Sequence, residues 1–185
     1  MIKNGKYGNS TLTGLTFEKN VNLDDILKNI GYILKKNKMV EVYNNDKHIG
    51  YSLQKNMLYK LLETENVEWK KLISKKLLPD DCFYNIMNNT FYILEKKYQE
   101  TSGSVDEKPQ TCGFKLHQYK KLLSHKTQNI KFCYIFNDWF KKDEYKDMLE
   151  YIKLMNCDYF FNEIPLEYLG IDNIVLKNRS IDESN

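Results

Sequence analysis

One stretch of this chain restricts its fold more than any other: Pro79 to Lys97, Pro-Asp-Asp-Cys-Phe-Tyr-Asn-Ile-Met-Asn-Asn-Thr-Phe-Tyr-Ile-Leu-Glu-Lys-Lys. Two runs rich in aromatic and β-branched residues flank Asn88-Asn89, the pattern of a β-hairpin. Strand side chains alternate between the two faces of a sheet. A turn pairing Met87 with Thr90 therefore sets Cys82 opposite Glu95 and Asp80 opposite Lys97. That register gathers Asp80, Glu95 and Lys97 on one face and sends Asp81 and Lys96 to the other. A bulge near Pro79 would exchange Asp81 for Asp80. Two carboxylates and an ammonium on one face point to a metal site.

The flanking sequence supplies a scaffold for such a hairpin. Phe17, Val21, Ile26, Leu27 and Ile30 form a helical stripe over about 15–30, with Glu18 in its first turn and Gly31 placed to end it. Met39 to Tyr43 and His48 to Leu53 read as a hairpin around Asn44-Asn45-Asp46. Met57, Leu58, Leu61 and Leu62 mark a helix, and Trp69 to Leu78 carries Lys70, Lys71, Lys75 and Lys76 just ahead of Pro79. After the central hairpin, Tyr98 to Gly113 reads as a long ordered loop. A helix over 114–125, a strand over 131–137, a helix over 141–155 and a strand over 158–162 complete the order. This succession predicts an α/β fold: a central mixed β-sheet flanked by helices, with a parallel pair joined through the helix at 114–125. One domain is expected over 1–177, followed by a polar tail over 178–185.

Composition narrows the partners without naming one. The formal charge of +3 is compatible with a local cationic cleft and too small to specify nucleic acid by itself. Cys82, Cys112, Cys133 and Cys157 are widely spaced with no Cys-x-x-Cys pair, so reduced thiols are expected rather than disulfides or a zinc ribbon. No apolar run approaches the roughly 18 residues of a membrane span, and Met1 to Ser10 is too polar for a signal peptide. The expectation is a cytoplasmic protein with no membrane partner. His48, His117 and His125 lack metal-ligand spacing, and no phosphate-binding glycine loop occurs.

The hairpin chemistry suits phosphodiester hydrolysis. That reaction uses a divalent cation to polarise phosphoryl oxygens, and Mg2+ is commonly held by one or two carboxylates with its remaining positions filled by water. Asp80 and Glu95 can supply those carboxylates. Lys97 can hold the attacking water or stabilise developing charge. Lys, Asn and Gln can also read base edges, and Asn9, Gln99, Ser104, Gln110 and Lys115 lie in or beside the polar loops at 5–14 and 99–115 that are placed to do so.

Pro79-Asp80, fourteen residues, then Glu95-Lys96-Lys97 resembles the signature of the PD-(D/E)xK nuclease superfamily. The other Glu-x-Lys runs lack that context: Glu68-Trp69-Lys70 precedes Pro79, and Glu144-Tyr145-Lys146 lies in a helical pattern. Gly14-Leu15-Thr16-Phe17-Glu18, Gly103-Ser104-Val105-Asp106-Glu107-Lys108 and Asn137-Asp138-Trp139-Phe140 extend the likeness, which is similar to a group of small bacterial type II restriction endonucleases. The resemblance implies a restriction-endonuclease-like fold and Mg2+-dependent cleavage of double-stranded DNA at a short specific site by a homodimer. A DNA methyltransferase would protect the host's own sites. The resemblance further implies Asp80, Glu95 and Lys97 as the catalytic set, Glu18 as an added metal-site carboxylate and Gln118 as a residue positioning the site. A structure-specific or repair nuclease of the same superfamily is the nearest alternative, and a non-catalytic DNA-binding module the next.

Overall fold

The computed structural model describes residues 17, 21–101, 103 and 107–174. Their centre is the hairpin of β4 (Asp81–Asn85) and β5 (Thr90–Lys97). Both strands are buried along almost their whole length, so each must be covered on two faces. One face carries Cys82, Tyr84, Phe91 and Ile93, continued by Phe132, Tyr134 and Phe136 of β6 (Ile130–Phe136). Three helices cover it: α2 (Met57–Thr64), α4 (Cys112–Leu123) and α5 (Lys146–Leu154). The other face carries Phe83, Tyr92, Leu94, Cys133 and Ile135, packed under α1 (Leu23–Asn29) and the segment holding Ile164, Leu169 and Ile171. Phe132 is fully buried in the first layer, and truncating such a ring to Ala costs about 3–5 kcal/mol.

The seven-stranded sheet runs in sequence order. β1 (Ile33–Lys36), β2 (Val40–Asn44), β3 (Lys47–Ser52), β4 and β5 are antiparallel neighbours. β5, β6 and β7 (Asp158–Phe161) are parallel, with α4 crossing between β5 and β6 and α5 between β6 and β7. The mixed sheet flanked by helices, and the parallel pair joined through the helix after the hairpin, match the expected α/β architecture. Gly50 is required where β3 meets β4, since a Cβ there would lie 2.2 Å from the Tyr84 carbonyl oxygen.

Several boundaries differ from expectation for local reasons. Within the helix expected over 15–30, Phe17 is helical and its carbonyl accepts the Val21 amide at 3.1 Å, and α1 begins at Leu23, where Asn22 is the N-cap, accepting from the Asp25 amide at 3.2 Å. Gly31, at φ 100°, ends it as expected. β1 was not expected; it is a four-residue, largely exposed strand paired on one side only and shows no alternation to read. The lysine-bearing stretch from Trp69 to Leu78 opens with the short helix α3 (Trp69–Leu72). The helix expected from Lys141 starts at Lys146, after two short 3-10 turns.

The hairpin register is corrected by two residues. Asn85, not Met87, pairs with Thr90, so Cys82 lies opposite Ile93 and Asp81 opposite Leu94. Asn85 causes this: its Oδ1 accepts the Met87 amide at 2.9 Å while its Nδ2 donates to the Leu169 carbonyl at 3.0 Å. The turn consequently holds four residues, closed by Asn89 at φ 52°. A shift of two leaves every side chain on its original face.

Candidate active site

The β4–β5 ladder ends at Asp81–Leu94, and β5 runs on alone through Glu95, Lys96 and Lys97 beside β6. A short gap therefore opens between the start of β4 and the carboxyl end of β5. Such strand ends are where ligands bind in open α/β sheets. Asp80 stands at the gap, its Oδ2 accepting the Lys96 amide at 2.8 Å in place of a ladder bond. Lys97 Nζ lies 3.8 Å from Asp80 Oδ2 and 3.2 Å from Glu95 Oε2, and donates to the Lys96 carbonyl at 2.8 Å. One ammonium thus touches both carboxylates. Asp80, Glu95 and Lys97 come together as their alternation demands, with the Asp80 side chain 36% exposed and that of Glu95 9%.

Asp81 and Lys96 point through the sheet to the α1 side. Their ion pair is 2.5 Å long and almost sealed from solvent, at 0% and 5% side-chain exposure. The Leu23 amide at the start of α1 donates to Asp81 Oδ2 at 3.4 Å. Burial pushes the Asp81 carboxyl up to about 6 against the opposing pull of Lys96. Alternate residues of one hairpin therefore build two charged clusters, one buried among apolar side chains and one opening to solvent.

α4 adds what the hairpin lacks. Lys115, in its first turns, donates to Glu95 Oε2 at 2.9 Å. One turn further along α4, Tyr119 is buried with no hydrogen-bond partner for its hydroxyl among the described residues. Burial, then the Glu95 charge, push both this phenol and that of Tyr134 far up, so both are neutral. Tyr134 pairs with Glu95 across the β5–β6 ladder, and its ring centroid is 5.9 Å from Lys97 Nζ. Asn137 holds the chain as it leaves Lys97: its amide donates to the Lys97 carbonyl at 3.3 Å, and its side chain exchanges two hydrogen bonds with the Gln99 backbone.

The remaining sequence candidates are dispersed. Gln99 is buried, its Nε2 donating to the Thr101 carbonyl at 2.6 Å and its Oε1 without a partner among the described residues. Gln110 is exposed in the turn before α4 and lines an open cleft with Glu144, Asp147, Met148 and Tyr151. Gln118 is half-buried on α4, three residues after Lys115. Glu18, Asn9 and Ser104 lie outside the described residues. Lys115, expected from its residue type to read bases, instead pairs with Glu95. The available signal was topological: the crossover helix between β5 and β6 must start near the end of β5, bringing its first sheet-facing lysine over Glu95.

Among the described residues, no group of three or more His, Cys, Asp and Glu side chains converges on one point. Mg2+ does not require one, since it keeps most of its waters. The donors fit it: two carboxylates and the Lys96 carbonyl supply hard oxygens, and the Lys97 ammonium already bridges the two carboxylates as a cation would. The four cysteines are free and buried. No described helix is long and apolar enough to cross a membrane. Searches against family models, curated proteins and solved structures return no match to this chain.

Proposed function

We propose that this protein is a Mg2+-dependent endonuclease that hydrolyses phosphodiester bonds of double-stranded DNA at a short specific site, a restriction-endonuclease-like domain working as a homodimer. The observation carrying this reading is the convergence of Asp80, Glu95 and Lys97 at the carboxyl end of β5, with Lys97 Nζ within 4 Å of both carboxylates. Asp80, Glu95 and the Lys96 carbonyl would hold the metal. When bound, Mg2+ supplies Lewis-acid polarisation of the scissile phosphate and offsets its developing charge.

The protein groups perform the rest. Lys97 is anchored by the Lys96 carbonyl, so its remaining protons can orient an attacking water and stabilise charge on the phosphate. Asp80 is tied to the Lys96 amide, which fixes its carboxylate without a flexible loop. Tyr119 and Tyr134, whose phenols feel the Glu95 charge and stay neutral, add no competing charge to the site. By the same proposal, a DNA methyltransferase shields the host's copies of the site.

Digestion of phage DNA with Mg2+, followed by sequencing of the fragment ends, tests this function. Discrete fragments with one fixed end sequence are expected. Cutting confined to branched or damaged duplexes would assign the site to a structure-specific or repair nuclease instead.

A further inference from the structure

Lys115 is the charged group at the site that the hairpin does not provide. Its Nζ and that of Lys97 converge on the same atom, Glu95 Oε2, at 2.9 and 3.2 Å, whereas Asp80 has Lys97 at 3.8 Å. Two ammonium groups thus balance two carboxylates, and the cluster is formally neutral. At 9% side-chain exposure, Glu95 has its charge balanced by these two lysines more than by solvent. Yet Oε2 of this carboxylate already holds both ammonium groups.

The two lysines are not equivalent. Lys97 is also held by the Lys96 carbonyl at 2.8 Å and is 15% exposed. Lys115 has no hydrogen-bond or ion-pair partner besides Glu95 among the described residues and is 23% exposed. Its flexible stem can swing away by side-chain rotation alone, leaving α4 in place. Resting on the reading of this site as metal-dependent, we propose that Lys115 is a removable counterion: it neutralises Glu95 in the free protein, competes with the divalent cation for that carboxylate, and must leave before the cation is held by both Asp80 and Glu95. Lys115 is then a positioning residue that sets how readily the site loads. Its removal makes the empty site more anionic and the metal bind more tightly, the reverse of what loss of a supporting residue does.

Mn2+ binding without DNA, followed by electron paramagnetic resonance, reads this directly. Lys115→Gln and Lys115→Met are expected to bind Mn2+ about tenfold more tightly than wild type, the Coulomb repulsion of one nearby ammonium reduced by partial solvation. Lys115→Arg, which keeps the charge, is expected to bind as wild type does. Affinities in the Gln and Met variants equal to or weaker than wild type, with Glu95→Gln still abolishing binding, would overturn the counterion role and leave the metal site standing. Wild-type protein that fails to bind Mn2+, or binds it undiminished in Asp80→Asn and Glu95→Gln, would overturn the metal-site reading and this inference with it.

Discussion

Replacing Lys96 by Met tests the division of the hairpin into two faces. The substitution keeps the aliphatic stem and deletes the ammonium, leaving Asp81 at 0% side-chain exposure without its 2.5 Å partner. Breaking a buried pair by removing one member costs about 3–5 kcal/mol, chiefly the desolvation of the group left behind. For a chain of this length that lowers the melting temperature by roughly 10 °C. The double variant Asp81→Leu/Lys96→Met leaves no orphaned charge and should recover to within about 1 kcal/mol of wild type, as apolar replacements of buried pairs do. Urea unfolding of the four proteins gives the cycle. The same samples, kept well below their transitions, should retain wild-type Mn2+ affinity, because Lys96 contributes its backbone and not its side chain to the Asp80 side. A Lys96→Met protein as stable as wild type, or one that stays folded and loses Mn2+, would refute the reasoning.

Three other outcomes follow from named contacts. The carboxyl of Glu65 lies below the usual carboxylate range: burial works against ionisation, and Lys126 and His125 outweigh it. A depressed folded-state value gives stability that is present above the unfolded value and lost as pH falls through the folded one. Urea unfolding of Glu65→Gln should therefore show a shallower loss than wild type between about pH 5 and 3. Gly50→Ala should destabilise by about 3 kcal/mol or more, since the added Cβ meets backbone rather than a movable side chain, as a thermal melt would reveal. Lys97→Met should lower Mg2+-dependent cleavage about a thousandfold, within the usual range for a positioned proton-transfer or charge-stabilising group, while its melting curve stays near that of wild type.

Much of the scaffold was legible because it rests on alternation and punctuation. The face shared by Asp80, Glu95 and Lys97 survived a two-residue register error, since strand parity is insensitive to an even shift. The shift itself arises from Asn85 bonding to Leu169, a contact spanning most of the chain's second half that no local turn rule contains. β1 was hidden because an edge strand with exposed residues on both faces has no hydrophobic period. Lys115 was visible as a residue and invisible as a partner of Glu95, because that pairing depends on where the crossover helix begins over the sheet. Gln99 was placed in a polar loop by composition, yet Asn137 ties its backbone down and its side chain turns inward.

Asp80, Glu95 and Lys97 are proposed to form a metal-dependent phosphodiesterase site. Its most direct measurement is the Mg2+-dependent rate of duplex DNA cleavage by wild type, Asp80→Asn and Glu95→Gln, each accompanied by a melting curve. Cutting by wild type that chelation abolishes is expected, with loss of at least about a thousandfold in both variants at near wild-type melting temperature. Cutting that persists in either variant, or that proceeds with the metal removed, would contradict this proposal.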